Sequence, residues 1–417
     1  MSELLDDLRW RGLIHDVTDP EGLAEALEAG PVTLYVGYDP TAESLHLGHL
    51  QIVLLQRRFQ LAGHRVIALS GGGTGLIGDP SGKTDERSML DVETVRANTA
   101  KIAAQLERLL PGGDGVEPAV MEDNLNWLGE LSAVELLRDV GKHFPVSQMV
   151  ARESVAARIG EGGSGMSFTE FSYMVLQAYD FAELYDRHGC RLQLGGSDQW
   201  GNITAGLDYM RRTGRPGGFG LTAPLIVRSD GRKFGKTEEG TVWLDPARTS
   251  PFALYQYFVN LPDADAKALL RRMSLRPAAE IQELEAAVDA EPQARRAQRE
   301  LASELTEYVH GAEGVREAEH VTAWLFGDGE LPADPRAALR GGPLVELDAA
   351  DLESWEQLAV RAGLASSLSE ARRTIAGGGL YANDERIDAG SPPPRLGGDD
   401  ALLLRKGKRH RVVAMLA

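Results

Sequence analysis

Short runs of β-branched and apolar residues alternate with stretches of helical periodicity between about residues 32 and 235. The run VTLYVGY is followed by HLQIVLLQRRFQLAG, which has helical periodicity, and then by a second strand-like run, RVIALS. Strand, helix and strand at this spacing predict a parallel α/β sheet. Ligands of such sheets bind beyond the carboxyl ends of the strands, so we expect the chemistry in the segments 37–49, 71–83 and 195–202.

The second half of the chain has a different pattern. From about 246 to 326 it is helical, with runs such as PFALYQYFVNL, and the stretch GDGELPADPRAALRGGP that follows is rich in Gly and Pro and lacks periodicity. The remainder carries helical patterns and ends in the strand-like ALLLRKGKRHRVVAML. We therefore predict a parallel α/β domain at 1–244, an α-helical domain at 245–326, a linker at 327–344 and a small α+β domain at 345–417.

The composition is that of a globular protein without membrane-spanning segments. Of the 417 residues 43% are hydrophobic and 25% are charged, and no stretch approaches the roughly 18 consecutive apolar residues that a spanning helix needs. The first twenty residues lack the pattern of a signal peptide, and Cys190 is the only cysteine. An internal disulfide and a multi-cysteine zinc site are therefore excluded, and we expect a cytoplasmic protein that does not bind membranes.

The net charge of -18 argues against an indiscriminate nucleic-acid binder, because a polyanion is repelled at long range. Any nucleic acid must be bound by a local basic patch. The last seventeen residues offer one, without an acidic residue among them: Arg405, Lys406, Lys408, Arg409 and Arg411.

Two histidines stand three residues apart in YVGYDPTAESLHLGHL, where a helix opens after the first strand. His46 and His49 would lie on nearly the same face at the helix N-terminus, where unpaired N–H groups favour phosphate. Gly48 between them would let a flat ligand approach the backbone. Two structural histidines that cap the helix are an equally good interpretation of the spacing, whereas a metal site is a weaker one, since no Glu or third His accompanies the pair.

The second strand leads into SGGGTGLIGDPSGKT, which imitates two phosphate-binding loops. A dinucleotide fingerprint would need a helix after Gly78, but Asp79-Pro80 follows, and the residue before a proline avoids the α region. A P-loop would need Gly where Ile77 stands. We therefore predict a glycine-rich turn that brings one carboxylate, Asp79, near the first helix.

A helix with a narrow polar stripe is predicted in MSFTEFSYMVLQAYDFAELYD, started by a capping box of Ser167 and Glu170. Tyr173, Gln177 and Asp180 follow at i, i+4 and i+7 among apolar residues. A solvent-facing stripe would call for Lys or Glu at these positions. A buried carboxylate requires a partner, so the stripe favours a ligand pocket.

Two further segments carry candidate binding residues. RLQLGGSDQWGN predicts a strand and a turn that place Asp198 and Gln199 at a helix start, where an Asp suits ribose hydroxyls. VRSDGRKFGKT has lysines on a flexible turn that can reach a polyphosphate, although exposed lysines are common.

Taken together, these segments resemble the bacterial tyrosyl-tRNA synthetases, a family of class I aminoacyl-tRNA synthetases. HLGH is similar to the HIGH signature of class I, and KFGKT to the tyrosyl variant of the KMSKS signature, in the right order and about 190 residues apart. FSYMVLQAYD and GGSDQWGNI are more specific than either signature. SLSEARRTIAGGGLYANDERI resembles an S4-type RNA-binding domain, and the resemblance covers nearly the whole chain.

The resemblance implies a Rossmann-like parallel-sheet catalytic domain, an α-helical domain and a small α+β S4-like RNA-binding domain, working as a homodimer. It implies that L-tyrosine reacts with ATP to give tyrosyl-adenylate and pyrophosphate, and that the tyrosyl group then passes to the 3′ end of tRNA(Tyr). Mg²⁺ would accompany ATP, without a protein-bound metal.

The residue roles that the resemblance implies fall into three groups. For ATP they are Thr41, His46, Lys233, Lys236 and Thr237 at the phosphates, His49 and Asp198 at the ribose, and Gly37, Asp39, Gly48 and Gln199 along the site. For tyrosine they are Tyr35 and Asp180 at the hydroxyl, Asp79, Tyr173 and Gln177 at the ammonium, and Gln193 near the carboxylate. For tRNA they are Arg372, Arg373, Arg405, Lys406, Lys408 and Arg409 in the C-terminal domain.

Three alternatives share parts of this pattern. A tryptophanyl-tRNA synthetase would share the fold, but Tyr35 and Asp180 fit a phenol better than an indole. A smaller HxGH nucleotidylyltransferase would lack the helical and C-terminal domains. An RNA-binding protein without catalysis would not need the two histidines together with Lys233 and Lys236.

The sequence departs from the family pattern at Val36. Many relatives have a cysteine at this position, and that cysteine can contact the ribose.

Overall fold

The computed structural model describes residues 2–81, 89–160, 163–227, 229, 234–237, 240–327, 329–392, 395–397, 400–407 and 410–417, without the side chains of 153, 154, 236 and 237. The chain divides into two compact units. The first consists of Met1–Trp243 and Pro262–Ala297, and the second of Leu244–Leu261 and Gln298–Ala417.

The helices are α1 (Glu3–Trp10), α2 (Pro20–Ala29), α3 (Leu47–Leu61), α4 (Val92–Leu109), α5 (Leu125–Leu128), α6 (Ala133–Glu135), α7 (Val146–Val150), α8 (Glu153–Ile159), α9 (Phe168–His188), α10 (Trp200–Arg212), α11 (Pro251–Val259), α12 (Asp263–Met273), α13 (Ala278–Ala290), α14 (Arg296–Phe326), α15 (Pro335–Ala338), α16 (Trp355–Arg361) and α17 (Leu368–Ala376). The strands are β1 (Asp16–Val17), β2 (Thr33–Tyr38), β3 (Arg65–Ser70), β4 (Val120–Asp123), β5 (Leu192–Gly196), β6 (Phe219–Ala223), β7 (Lys236–Thr237), β8 (Gly240–Thr241), β9 (Leu344–Leu347), β10 (Leu380–Ala382), β11 (Glu385–Arg386), β12 (Leu402–Lys406) and β13 (His410–Leu416). No helix among the described residues is long and apolar enough to cross a bilayer.

The first unit is built on a six-stranded sheet in the order β1-β6-β5-β2-β3-β4. The five strands from β6 to β4 are parallel, and β1 adds an antiparallel edge. The chain runs outward from β2 to β3 on one side and from β5 to β6 on the other, so the strand order reverses between β2 and β5. A parallel sheet opens a crevice at such a reversal, beyond the carboxyl ends of the two strands. The predicted parallel α/β fold is confirmed.

Helix α3 packs beside the sheet because its apolar residues lie on several faces. Leu50, Val53, Leu54 and Phe59 are fully buried, as expected of a helix that is covered on most sides. Its glutamines are buried as well, and Gln56 shows how they are satisfied: it donates to the carbonyl of Ile67 over 2.7 Å and accepts from the hydroxyl of Tyr38. The helix is thereby held against β2 and β3.

Helix α9 begins with half of the predicted capping box. The Ser167 hydroxyl accepts from the backbone N–H of Glu170, but the Glu170 carboxylate is bound by the guanidinium of Arg158 over 2.9 Å. Both side chains are buried. A buried carboxylate gains more from a cation than from a backbone N–H, so the ion pair replaces the reciprocal half of the box.

The second unit contains α11, most of α14 and the C-terminal sheet, whose strand order is β11-β10-β12-β13-β9. Helices α16 and α17 cover this sheet, and Leu358, Ile375, Leu404 and Val412 belong to its hydrophobic core. The predicted small α+β module is therefore present. The stretch predicted as a linker contains the one-turn helix α15, because Pro335 occupies its first position and Asp334 caps it. The exact four-part domain division stays a prediction.

Candidate active site

A cavity of about 520 Å³ lies in the first unit at the carboxyl ends of β2 and β5. Its walls also include the first turn of α3, the polar stripe of α9 and the segment 224–227. Every predicted tyrosine-binding residue lines it: Tyr35, Asp79, Tyr173, Gln177, Asp180 and Gln193. So do eight of the predicted ATP-binding residues: Gly37, Asp39, Thr41, His46, Gly48, His49, Asp198 and Gln199.

The two histidines cap the first turn of α3 and also face the cavity. His46 Nδ1 accepts from the N–H of Gly48 over 3.0 Å, and His49 Nδ1 accepts from the N–H of His46 over 3.2 Å. The rings are stacked with their centroids 3.9 Å apart. Because each Nδ1 is an acceptor, the hydrogen of each neutral ring is on Nε2. In each ring Nδ1 caps the helix, and Nε2–H can donate to a ligand. The two histidines can therefore cap the helix and bind a ligand at the same time.

His49 is held in its neutral form. Burial, and then the neighbouring His46, lower its pKa to about 3. The ring therefore meets a ligand as a neutral hydrogen-bond donor at ordinary pH and adds no positive charge to the site.

The buried end of the cavity contains a carboxylate held by two donors. Asp180 accepts from the indole N–H of Trp127 over 2.7 Å and from the amide of Asn124 over 2.9 Å. Burial raises the pKa of Asp180 to about 8, even though both donors act to lower it. The Tyr35 hydroxyl, also buried, has no hydrogen-bond partner among the described residues. A ligand hydroxyl is the kind of group that suits this pair.

Sequence reasoning missed Asn124 and Trp127. Both follow β4, which is short and lacks a fully buried residue, so no strand pattern drew attention to its carboxyl end. The same residue, Asn124, also donates from its amide to the Thr74 hydroxyl, and Thr74 in turn donates to Asp39 over 2.7 Å. These bonds link the glycine-rich turn to the buried end of the cavity.

The residues predicted around the ammonium fall into two hydrogen-bonded groups. Tyr173 donates its hydroxyl to Asp39 over 2.8 Å. Asp79 accepts from Gln199 over 2.7 Å, and Gln177 lies 3.4 Å from the same glutamine. Asp39 and Asp79 therefore both line the cavity with carboxylates already oriented by hydrogen-bond donors.

Four carboxyl groups line the cavity: Asp39, Asp79, Asp180 and Asp198. Burial and the nearby Asp79 raise the pKa of Asp198, so the charged form of this carboxyl group is disfavoured. Such a lining attracts an ammonium group and repels a polyphosphate. A nucleotide triphosphate would need added cations at the entrance.

The candidate cations lie partly outside the described residues. Lys233 is outside them, and for Lys236 and Thr237 the backbone of β7 is described but the side chains are not. The preceding Gly235 has a φ of +76°, and a Cβ added to it would stand 3.0 Å from the Cβ of Leu47. Leu47 in turn donates its N–H to Val242. Gly235, in the middle of KFGKT, is therefore adjacent to the histidine-bearing end of α3.

Several buried polar atoms of the cavity residues have no partner among the described residues. They are Tyr35 Oη, Gln51 Oε1, Gln177 Oε1 and Gln193 Oε1. A buried acceptor or donor without a partner costs about 1–3 kcal/mol. A ligand that supplies the missing partners removes this cost, which is the physical sign of a binding site.

The predicted tRNA-binding residues differ in their environment. Arg405 stacks over the ring of Tyr381, with 3.8 Å to the centroid, and donates to Asp384, while Lys406 donates to Glu370. Arg372 and Arg373 are exposed on α17, the former 68%. Lys408 and Arg409 lie outside the described residues.

The comparisons with known proteins agree with this geometry. Residues 27–327 match the family described as tRNA synthetases class I (W and Y). A tyrosine–tRNA ligase of Roseiflexus castenholzii is 49% identical over 423 residues, covering 98% of this chain and 98% of that protein. One of Geobacillus stearothermophilus is 47% identical over 420 residues, covering 99% of each.

Among solved structures, a C-terminally truncated mitochondrial tyrosyl-tRNA synthetase of Aspergillus nidulans superposes with a TM-score of 0.69 at 30% identity, covering 78% of this chain and 94% of that chain. The relatives span the whole chain, and the family model covers the two signatures and the cavity between them. The chain therefore belongs to the class I tRNA synthetases of the tryptophanyl and tyrosyl type and, within them, to the tyrosine–tRNA ligases.

Proposed function

We propose that the cavity at the carboxyl ends of β2 and β5 is the site where L-tyrosine and ATP form tyrosyl-adenylate, before the tyrosyl group passes to the 3′-terminal ribose of tRNA(Tyr). The observation that carries this assignment is the buried pair of Tyr35 and Asp180 at the closed end. An apolar enclosure with one hydroxyl and one carboxyl group matches a phenol.

The acidic lining of the cavity indicates how tyrosine is oriented. The hydroxyl of tyrosine donates to Asp180, and its ammonium binds near Asp79, Tyr173 and Gln177. The carboxylate then points toward Gln193 and the open part of the cavity. Binding places this carboxylate next to the α-phosphate of ATP, which turns an encounter in solution into a reaction between fixed groups.

The first turn of α3 indicates where ATP binds. Thr41 and His46 contact the γ-phosphate side, His49 and Asp198 hold the ribose, and Gly37, Asp39, Gly48 and Gln199 line the nucleotide. Lys233, Lys236 and Thr237 close over the departing pyrophosphate. The four carboxyl groups of the cavity repel phosphate, so these lysines must neutralise it, and Mg²⁺ enters with ATP as part of the substrate.

Protein groups need not take a proton in the first step. The carboxylate of tyrosine is already a nucleophile, and it attacks the α-phosphorus as the bond to pyrophosphate breaks. Donors that bind the pentacovalent phosphate more tightly than ATP then supply the acceleration.

Amino-acid-dependent exchange between ATP and pyrophosphate, measured with each of the twenty amino acids, tests this function. Tyrosine should support exchange, and phenylalanine scarcely, because it leaves Tyr35 and Asp180 without the ligand hydroxyl. Tyrosyl-tRNA synthetase is itself the standard example of such discrimination, with a factor of about 10⁵. Comparable exchange with phenylalanine, or a preference for tryptophan, would contradict the assignment.

A homodimer and a cytoplasmic location complete the proposal. Large apolar side chains are exposed from α6 to the first residue of α9: Val134 at 69%, Leu137 at 63%, Val146 at 63% and Phe168 at 73%. Exposed apolar side chains at this density favour a protein–protein interface. Sedimentation of the Phe168→Asp variant should show monomers where the wild-type protein sediments as a dimer.

A further inference from the structure

Gln51 is a cavity residue that the roles given so far do not use. It lies in the second turn of α3, its side chain is only 2% exposed, and it lines the cavity. Its Nε2 donates to the backbone carbonyl of Pro224 over 2.9 Å. Its Oε1 is buried and has no partner among the described residues.

The orientation of the Gln51 carboxamide is fixed by its neighbour. A carbonyl oxygen only accepts hydrogen bonds, so the NH₂ group must face Pro224, and the oxygen must face away from it. Gln51 therefore offers a ligand an acceptor. A group that binds there must carry an N–H or O–H donor.

The position of Gln51 indicates which part of a nucleotide is nearby. Residues at i and i+3 are neighbours on a helix surface, so Gln51 stands directly beyond Gly48, whose missing side chain leaves room for a flat ring. With the phosphates at His46 and the ribose at His49, the base lies on this side of the cavity. The part of the lining that follows Pro224 in the chain is apolar and includes Leu225 and Ile226.

We propose that Gln51 is a specificity-determining residue that recognises the exocyclic amine of adenine through its Oε1, while its Nε2 holds the wall segment at Pro224. This inference rests on the proposed function, because it takes the orientation of ATP from it. A 6-oxo purine presents an acceptor at the same place and would face Oε1 with another oxygen. Gln51 thus selects adenine by an attractive contact and rejects hypoxanthine by a repulsive one.

The test compares ATP with purine riboside 5′-triphosphate, which has hydrogen in place of the amine, in the full-length protein and in Gln51→Met. The variant should lower kcat/KM for ATP in tyrosine-dependent pyrophosphate exchange about fivefold to tenfold, the range for one hydrogen bond. It should change kcat/KM for purine riboside triphosphate less than about twofold, and leave the KM for tyrosine unaltered. Rejection of ITP should be relaxed.

Gln60→Met is the matched control. Gln60 is buried in the same helix and donates to the carbonyl of Glu117 over 2.7 Å, but it does not line the cavity. In this variant the ratio of kcat/KM for ATP to kcat/KM for purine riboside triphosphate should be the same as in the wild-type protein.

Equal losses with both nucleotides in Gln51→Met would overturn the role of Oε1 and leave Gln51 as a support for Pro224. No loss with either nucleotide would overturn both roles. Dissociation constants of the two nucleotides, measured by titration calorimetry, give the same comparison without turnover. If wild-type exchange required an amino acid other than tyrosine, the proposed function would fail. The ratio of kcat/KM for ATP to kcat/KM for purine riboside triphosphate would still decide the role of Gln51.

Discussion

At the residue scale, burial acts on two ionisable side chains of the cavity in the same physical way. Desolvation disfavours the charged form of each, so it lowers the pKa of the base His49 to about 3 and raises that of the acid Asp180 to about 8. His49 consequently stays neutral, whereas Asp180 titrates near physiological pH. The donors Trp127 and Asn124 decide how much of Asp180 is ionised when tyrosine arrives.

The pKa of His49 predicts a specific pH dependence of stability. Its value in the folded protein lies below the ordinary 6.5, so the stability it contributes is present above that value and is lost as the pH falls toward 3. His49→Gln lacks this titration. Chemical denaturation should therefore show a smaller decrease in the free energy of unfolding from pH 7 to pH 5 for the variant than for the wild-type protein. Equal decreases would mean that His49 titrates normally.

Trp127→Phe tests the donors behind Asp180. Without the indole N–H the pKa of Asp180 rises further, less carboxylate is present at pH 7, and tyrosine loses its acceptor. We expect kcat/KM for tyrosine to fall about tenfold or more at pH 7, the range for a bond to a charged group, and to fall less at pH 9. Pyrophosphate exchange measures kcat/KM for tyrosine at both pH values. Trp10→Phe, in α1, is the control, and a loss that did not depend on pH would indicate simple misfolding.

The contrast between Asp180 and its donors shows how far the sequence predicts the site. The periodicity of α9 places Asp180 on a buried polar stripe, and the spacing of His46 and His49 places both at a helix start, whereas the role of Tyr35 came from the family resemblance. Trp127 reaches Asp180 from 53 residues away in the chain. Contacts of that separation depend on how the elements pack, and no local pattern carries that information.

At the scale of elements, the start of α9 depends on an ion pair that the sequence did not reveal. The predicted capping box treats Glu170 as a local partner of Ser167. In the structure Arg158 takes the carboxylate, and its Nε also donates to the carbonyl of Gly165. Arg158 thus links Gly165 to the first turn of the helix that bears Tyr173, Gln177 and Asp180.

Arg158→Met should destabilise the first unit by about 3 kcal/mol or more, because it leaves the buried carboxylate of Glu170 without its guanidinium. The double change Arg158→Met/Glu170→Met removes both charges and should recover much of that loss. Thermal unfolding of the two variants checks this. A double variant no more stable than Arg158→Met would contradict this explanation, because the loss would then not come from the unpaired carboxylate of Glu170.

At the scale of the whole molecule, the strongly acidic chain must still bind a polyanion. The net charge of -18 opposes tRNA at long range, so binding must rest on local cations. Arg405 and Lys406 are paired with acidic residues and are 16% and 32% exposed, whereas Arg372, although 3.8 Å from Glu356, is 68% exposed and Arg373 is exposed as well. We therefore expect α17 to contribute more to tRNA binding than β12.

The last prediction separates the two activities of the chain. The core of the C-terminal module is formed by residues between Leu347 and Ala414, and every proposed residue of the cavity precedes 240. A chain that ends after Gly342 should therefore retain pyrophosphate exchange within about twofold but lose most tRNA charging. In the full-length protein, Arg372→Glu/Arg373→Glu should lower charging at least about tenfold, with a shallower dependence on salt because fewer counterions are released. Arg65→Glu, at an arginine 63% exposed in the first unit, is the control. Equal loss of exchange and charging in the truncated chain would make the module structural, and unimpaired charging would place the tRNA elsewhere.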